Sequence, residues 1–189
     1  MRKLLLILLY TLFTATAQAQ NDKASADFIG TLVNSNEKII YTDSISNYAI
    51  SFIKEGLNRS ITHDSQKEKT ELQLLSFTRK EKEYINKELS KMQKFRWKDS
   101  LLNNSLLIKQ DTINAIFNKR LFDGWGYFHS RYGQGFYEFS NPIFLRNHTM
   151  CIFYKGYSCG SLCGEGDLTV YVNEKGKWIR KCLLSSWIS

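Results

Sequence analysis

Cys159-Gly160-Ser161-Leu162-Cys163-Gly164-Glu165-Gly166 places two cysteines and three glycines within eight residues. Runs rich in β-branched and aromatic residues flank it, Thr149 to Tyr157 before and Leu168 to Val172 after, and both read as strands. Asn173-Glu174-Lys175-Gly176 then supplies a hairpin turn, with Gly176 suited to a left-handed position. Trp178 to Leu184 is the strand that follows. The octet is therefore a loop between two strands of an antiparallel meander, with its cysteines spaced to close it.

Working upstream, Ile143 to Leu145 is a short strand. Between Gly124 and Phe139, Trp125, Tyr127, Phe128, Tyr132, Phe136 and Tyr137 alternate with Gly124, Gly126, Gly133 and Gly135, a pattern that favours turns and extended chain over helix. The first half of the chain has a different period. Ile45, Tyr48, Ala49, Phe52 and Ile53 recur at helical spacing after a cap at Asp43 or Ser44, and Gly56 is the expected stop. Leu57 to Glu68 reads as a polar loop and Glu71 to Phe77 as a strand. Thr78-Arg79-Lys80-Glu81 is a capping-box pattern opening a second helix, whose apolar face is Tyr84, Ile85, Leu89, Met92 and Phe95 and whose end is near Trp97. Leu101 to Lys109 contains a further strand, and Asp111 caps a brief helix. The fold class that follows is α+β, with amphipathic helices from the first half covering one side of a C-terminal antiparallel β-meander.

Residues 1–19 carry Arg2 and Lys3, an apolar run from Leu4 to Phe13, and Ala17-Gln18-Ala19 as a small-x-small site. This is the pattern of a secretory signal peptide cleaved after Ala19. The apolar run falls short of the ~20 residues a bilayer span needs, and no later segment reaches that length. The expected organisation is a leader over 1–19, a loosely ordered N-terminus over 20–38 and a single α+β domain over 39–189. The protein is expected to be exported, periplasmic or secreted, with no membrane span.

The formal charge is +8, and it is unevenly spread. Arg79 to Lys98 holds eight basic side chains against three acidic, whereas residues 20–78 hold six against eight. A charge run on a helix reads first as a solvated face laced with pairs such as Glu83–Lys87. Export removes nucleic acid from the expected partners.

All four cysteines, Cys151, Cys159, Cys163 and Cys182, lie in the last third. An even count in an exported chain favours disulfides. Of three connectivities, Cys159–Cys163 with Cys151–Cys182 is preferred, because the inner pair flanks a turn and the outer pair would join two strands if these are neighbours.

Ser140-Asn141-Pro142-Ile143-Phe144, the cysteine octet and Gly176-Lys177-Trp178 together resemble a group of uncharacterised exported bacterial proteins. Their pattern is S-x-P-x-F, an aromatic strand, C-G-x-L-C-G-x-G, a second strand and G-x-W. The resemblance covers about Gly124 to the C-terminus and implies a shared fold. It carries no activity and no catalytic residue.

The chemistry-bearing motifs are few. A redox pair is usually Cys-x-x-Cys at a helix N-terminus; here the spacing differs and Glu165 would raise the thiol pKa. Zinc would need Cys151 and Cys182 as further ligands. His63, His129 and His148 lack metal spacing, and no base with an orienting partner is visible beside them. No phosphate loop or Gly-x-Ser-x-Gly elbow is present. The leading expectation is a non-catalytic binding or interaction module, without metal or cofactor, whose partner is a protein or a cell-envelope ligand. Its contact surface would be the stapled loop, with Tyr154, Tyr157, Ser161 and Glu165 as contacts. The alternative is a cell-envelope hydrolase with Glu138 and Glu165 converging in a cleft. Thiol redox or metal binding at Cys159 and Cys163 is the third reading.

Overall fold

The computed structural model describes residues 22–33, 37–62, 76–98, 102–119 and 123–189. The leader expected over 1–19, His63 and most of the strand expected at Glu71 to Phe77 lie outside these residues. The elements in chain order are a helix α1 at 22–30, β1 (Ile39–Thr42), α2 (Asn47–Thr62), α3 (Arg79–Lys91), β2 (Ser105–Ile108), α4 (Gln110–Lys119), α5 (Gly124–Arg131), β3 (Phe136–Phe139), β4 (Ile143–Leu145), β5 (Met150–Gly160), β6 (Cys163–Glu174) and β7 (Lys177–Ile188).

The C-terminal meander forms as the sequence pattern dictates. β5, β6 and β7 pair antiparallel in a sheet of order β2-β1-β3-β5-β6-β7, and β4 pairs β5 alongside β3. Lys175 and Gly176 both take positive φ, 53° and 85°, in the tight β6–β7 turn, and Gly176 N donates to Asn173 Oδ1 at 2.9 Å. The Ser140-x-Pro142 motif sits where β3 gives way to β4. Ser140 bridges the break, its N–H donating to the Tyr154 carbonyl at 3.1 Å and its Oγ accepting from Tyr154 N at 3.0 Å. A proline is tolerated beside it because the ladder is already interrupted there.

The sheet also has a parallel part, β2-β1-β3, that the residue pattern does not announce. β1 is only Ile-Ile-Tyr-Thr, all four residues buried, and a run that short has no period to read. Two segments depart from expectation more sharply. Residues 22–30, expected to be loosely ordered, form α1, and Phe28 and Ile29 have no exposed surface. The glycine-rich aromatic run is helical over Gly124–Arg131, because its glycines make room instead of making turns. A Cβ on Gly124 would come 2.7 Å from the Phe117 ring, and one on Gly126 would overlap the Asp123 carboxylate. Gly56 likewise does not stop α2; it lies against Leu168 and Ser185 of the sheet, and the helix runs on to Thr62.

The two faces of the sheet are packed differently. On the helical face, Ile45, Ala49, Ile53 and Leu57 on and before α2, with Ile85 and Leu89 of α3, cover Ile143, Leu145, Ile152, Tyr154, Leu168 and Val170. α4 and α5 cover Ile40, Ile108 and Phe136 on the same face. On the other, aromatic face, Phe28 of α1 and Trp97 pack with Tyr41, Phe139, Phe144 and Phe153. The Phe28 ring meets those of Phe144, Phe153, Tyr171 and Trp178 edge-on at 5.0–5.9 Å.

The capping box at Thr78 forms with both of its bonds, Glu81 N to Thr78 Oγ1 and Thr78 N to Glu81 Oε2. On α3 the observed ion pairs are Arg79–Glu83 and Glu88–Lys91, not Glu83–Lys87. Glu81 also reaches Arg146 Nε at 2.8 Å in the β4–β5 turn. That guanidinium, opposed by burial and helped by Thr78, holds the Glu81 carboxyl down to about 2 from an ordinary 4.5. A depressed carboxylate contributes stability that is complete above its unfolded value and lost as pH falls through its folded one. Between about pH 4.5 and 2 the chain therefore loses stability through this pair, and Arg146→Ala flattens that part of the curve in pH-dependent urea unfolding.

Candidate functional site

The octet is a hairpin end. β5 and β6 continue through it, so that Gly160 pairs with Cys163 across the two-residue turn Ser161-Leu162. The Cys159–Cys163 disulfide closes it, with Cα atoms 5.1 Å apart. A covalent loop this small restricts the unfolded chain by about 2 kcal/mol in the chain-entropy account, and it fits an oxidising compartment. Gly164 and Gly166 are strand residues. The Trp187 indole of β7 lies over both, so that a Cβ on Gly164 would come 3.1 Å from it and one on Gly166 would overlap it. On the other side, His129 Nε2 of α5 lies 3.0 Å from the Cys159 carbonyl oxygen, the Nε2–H tautomer donating.

The expected second disulfide does not form. Cys151 and Cys182 are both buried, and no disulfide joins them. β6 runs between their strands, Cys151 standing opposite Tyr171 and Cys182 opposite Val170. Two strand spacings of about 4.8 Å already exceed the ~7 Å that a disulfide spans. The two thiols also face opposite ways, Cys151 into the aromatic cluster and Cys182 into the helical one. Burial pushes the Cys151 thiol well above its usual range. With Cys159 and Cys163 bonded, no thiolate is presented at the hairpin, and among the described residues no group of three His, Cys, Asp or Glu gathers as a metal site.

The four expected contacts separate. Tyr154 has no exposed surface. It lies on the helical face, its ring 5.8 Å from Phe52 and its hydroxyl accepting from Trp187 Nε1 at 3.3 Å. It is a core residue, three positions from Tyr157 along one strand and so on the opposite face. Ser161 is exposed at the turn beside Leu162, which is 88 % exposed and which the residue pattern did not single out. Tyr157 and Glu165 are direct cross-strand partners on the aromatic face.

Register extends that pair into a row. Tyr41, Tyr137, Tyr157, Glu165 and Ile188 stand opposite one another across β1, β3, β5, β6 and β7. Lys155, Asp167 and Ser186 form the adjoining row. Tyr41 is buried, but the row opens toward β7. Tyr137, missed as a contact by sequence reasoning, is half-buried between Phe139, stacked at 5.3 Å, and Tyr157 at 4.7 Å. Its signal was parity with Phe139 and a place beside Tyr157, which only the register reveals. The Tyr157 phenol rests over Gly135, where a Cβ would come 2.7 Å from the hydroxyl. Burial raises both phenols above their usual pKa; Tyr157, Glu165 and Glu37 add to the shift at Tyr137, and Glu37 adds to it at Tyr157. Both are neutral hydrogen-bond donors at physiological pH.

The carboxylates do not converge. Glu138 is buried on the helical face, where its Oε1 accepts from Ser46 N at 2.6 Å and caps the start of α2. Glu165 lies exposed on the other face. Asp43 plays the matching role at α4, accepting from Gln110 N at 2.8 Å. His148 stacks on Phe144 at 4.6 Å, in the turn at the opposite end of β5 from Cys163. Two clefts of about 410 and 420 Å³ lie elsewhere, one beside α1 and one where β1 and β2 end, and neither is lined by Tyr157 or Glu165. Comparison with protein-family models, curated proteins and solved structures finds no match.

Proposed function

We propose that this chain is an exported, non-catalytic binding module that meets its partner through the stapled hairpin and the sheet surface beside it, with Tyr157, Glu165 and Ser161 as contacts and Tyr137 supporting them. One observation carries the reading. Among the described residues, α1 and the Trp97 segment cover most of the aromatic face, while Glu165 is exposed and Tyr157 half-buried beside the staple. A preformed surface of this kind avoids ordering costs that binding otherwise incurs. The partner is a protein or a cell-envelope ligand in the periplasm or outside the cell.

Immobilised wild-type protein, Tyr157→Ala and Glu165→Ala are compared for capture of material from an envelope extract. Both substitutions are expected to leave the fold in place, Tyr157→Ala at about 1 kcal/mol for the lost aromatic pair, and to reduce capture. Capture unchanged in both variants removes the hairpin from the argument.

A further inference from the structure

Resting on that reading, we propose that the ligand seated on this row is cationic, specifically a lysine or arginine side chain carried by a basic polypeptide segment. Three features converge on it. Tyr157, half-buried and backed at 4.7 Å by Tyr137, offers its outer ring surface on the sheet face. A carboxylate adjoins the Tyr157 ring: Glu165 on β6 is its direct cross-strand partner, while Glu37, two residues ahead of Ile39, lies farther off on the β1 side. Both carboxylates are near enough for their charge to be felt at the Tyr137 phenol. Neither has an ion pair among the described residues, whereas Asp167 in the adjoining row faces Lys155 and lies 3.9 Å from Arg180.

The charge directly across from the Tyr157 ring, that of Glu165, is negative on a chain whose formal charge is +8. A half-open ring beside a carboxylate that has no ion pair among the described residues suits a cation, which is drawn to the outer face of the Tyr157 phenol and to Glu165 together. An acidic ligand would meet repulsion from Glu37 and Glu165. A neutral one would leave them without a counter-charge.

The test is a titration of the isotope-labelled chain, purified after export, with hexalysine, hexaglutamate and an uncharged Gly-Ser hexapeptide, followed by backbone amide shifts. Hexalysine is expected to move Tyr137, Tyr157 and Glu165 saturably, and the other two peptides are expected not to. Glu165→Gln and Tyr157→Leu each weaken hexalysine by about two- to fivefold, while Tyr157→Phe, which keeps the ring, stays within about twofold. If hexalysine leaves these signals unmoved although envelope material still needs Tyr157 and Glu165 for capture, the cationic ligand is wrong and the binding surface stands. If neither depends on these residues, both fall.

Discussion

Tyr154→Ala lowers the unfolding free energy by about 3–5 kcal/mol, the range for emptying a buried aromatic site, whereas Tyr157→Ala costs about 1 kcal/mol. The two residues are of one type, three apart on β5, so the contrast isolates the face. Tyr154 has no exposed surface, packs against Phe52 and receives the Trp187 indole N–H. Its removal leaves a cavity under α2 and an unpartnered indole donor. Tyr154→Phe keeps the packing and loses only the hydroxyl, at about 1 kcal/mol. Urea unfolding of the four proteins checks the order. Equal losses for the two alanine variants would mean that the faces are wrongly assigned.

Phe28→Ala has an effect of the same size, about 3–5 kcal/mol, from a helix that composition alone makes look dispensable. Phe28 is fully buried and contacts four rings edge-on, from β4, β5, β6 and β7. Each such pair adds to the burial itself. Because α1 covers one half of the aromatic face, Phe28→Ala also exposes that half and is expected to bind a hydrophobic dye in the folded state. Phe28→Leu keeps most of the buried volume and loses less. Urea midpoints for the two variants measure this; a loss under about 1 kcal/mol in Phe28→Ala would mean that α1 is not docked.

Local signals in the chain proved to be those that close over a few residues. The Thr78 capping box, the Asn173–Gly176 turn and the Cys159–Cys163 staple are each decided by neighbours within five positions. The meander of β5, β6 and β7 follows from them. What could not be read depends on distant partners. Gly124 is glycine because Phe117 occupies the space its Cβ would need, and nothing nearby in the chain says so. β1 acquires its place from β2 and β3, 66 and 96 residues onward at Ile39↔Ser105 and Tyr41↔Tyr137. The preference for Cys151–Cys182, by contrast, is at odds with the meander itself, which already sets β6 between their strands.

One part of the site was legible and was passed over. In an extended strand, residues three apart point to opposite faces, so Tyr154 and Tyr157 could not both be contacts. Choosing between them needed only the knowledge of which face the helices cover. The buried Glu138 is a similar case. Alternation places it opposite to Tyr137 and Phe139, and its partner, the start of α2, comes from 92 residues earlier.

β6 separates β5 from β7, so that one sheet face is sealed by helices while the other shows Tyr157 and Glu165 beside a stapled turn. The cysteines report on this directly. The chain, produced in an oxidising compartment, is denatured without reduction, its reactive thiols are alkylated, and its mass is measured with the modified sites mapped. Two alkyl groups, at Cys151 and Cys182, with four after reduction, are the predicted result. No alkyl group before reduction, with Cys151 joined to Cys182, would contradict it, because that bond requires β5 and β7 side by side and removes the face on which the binding surface lies.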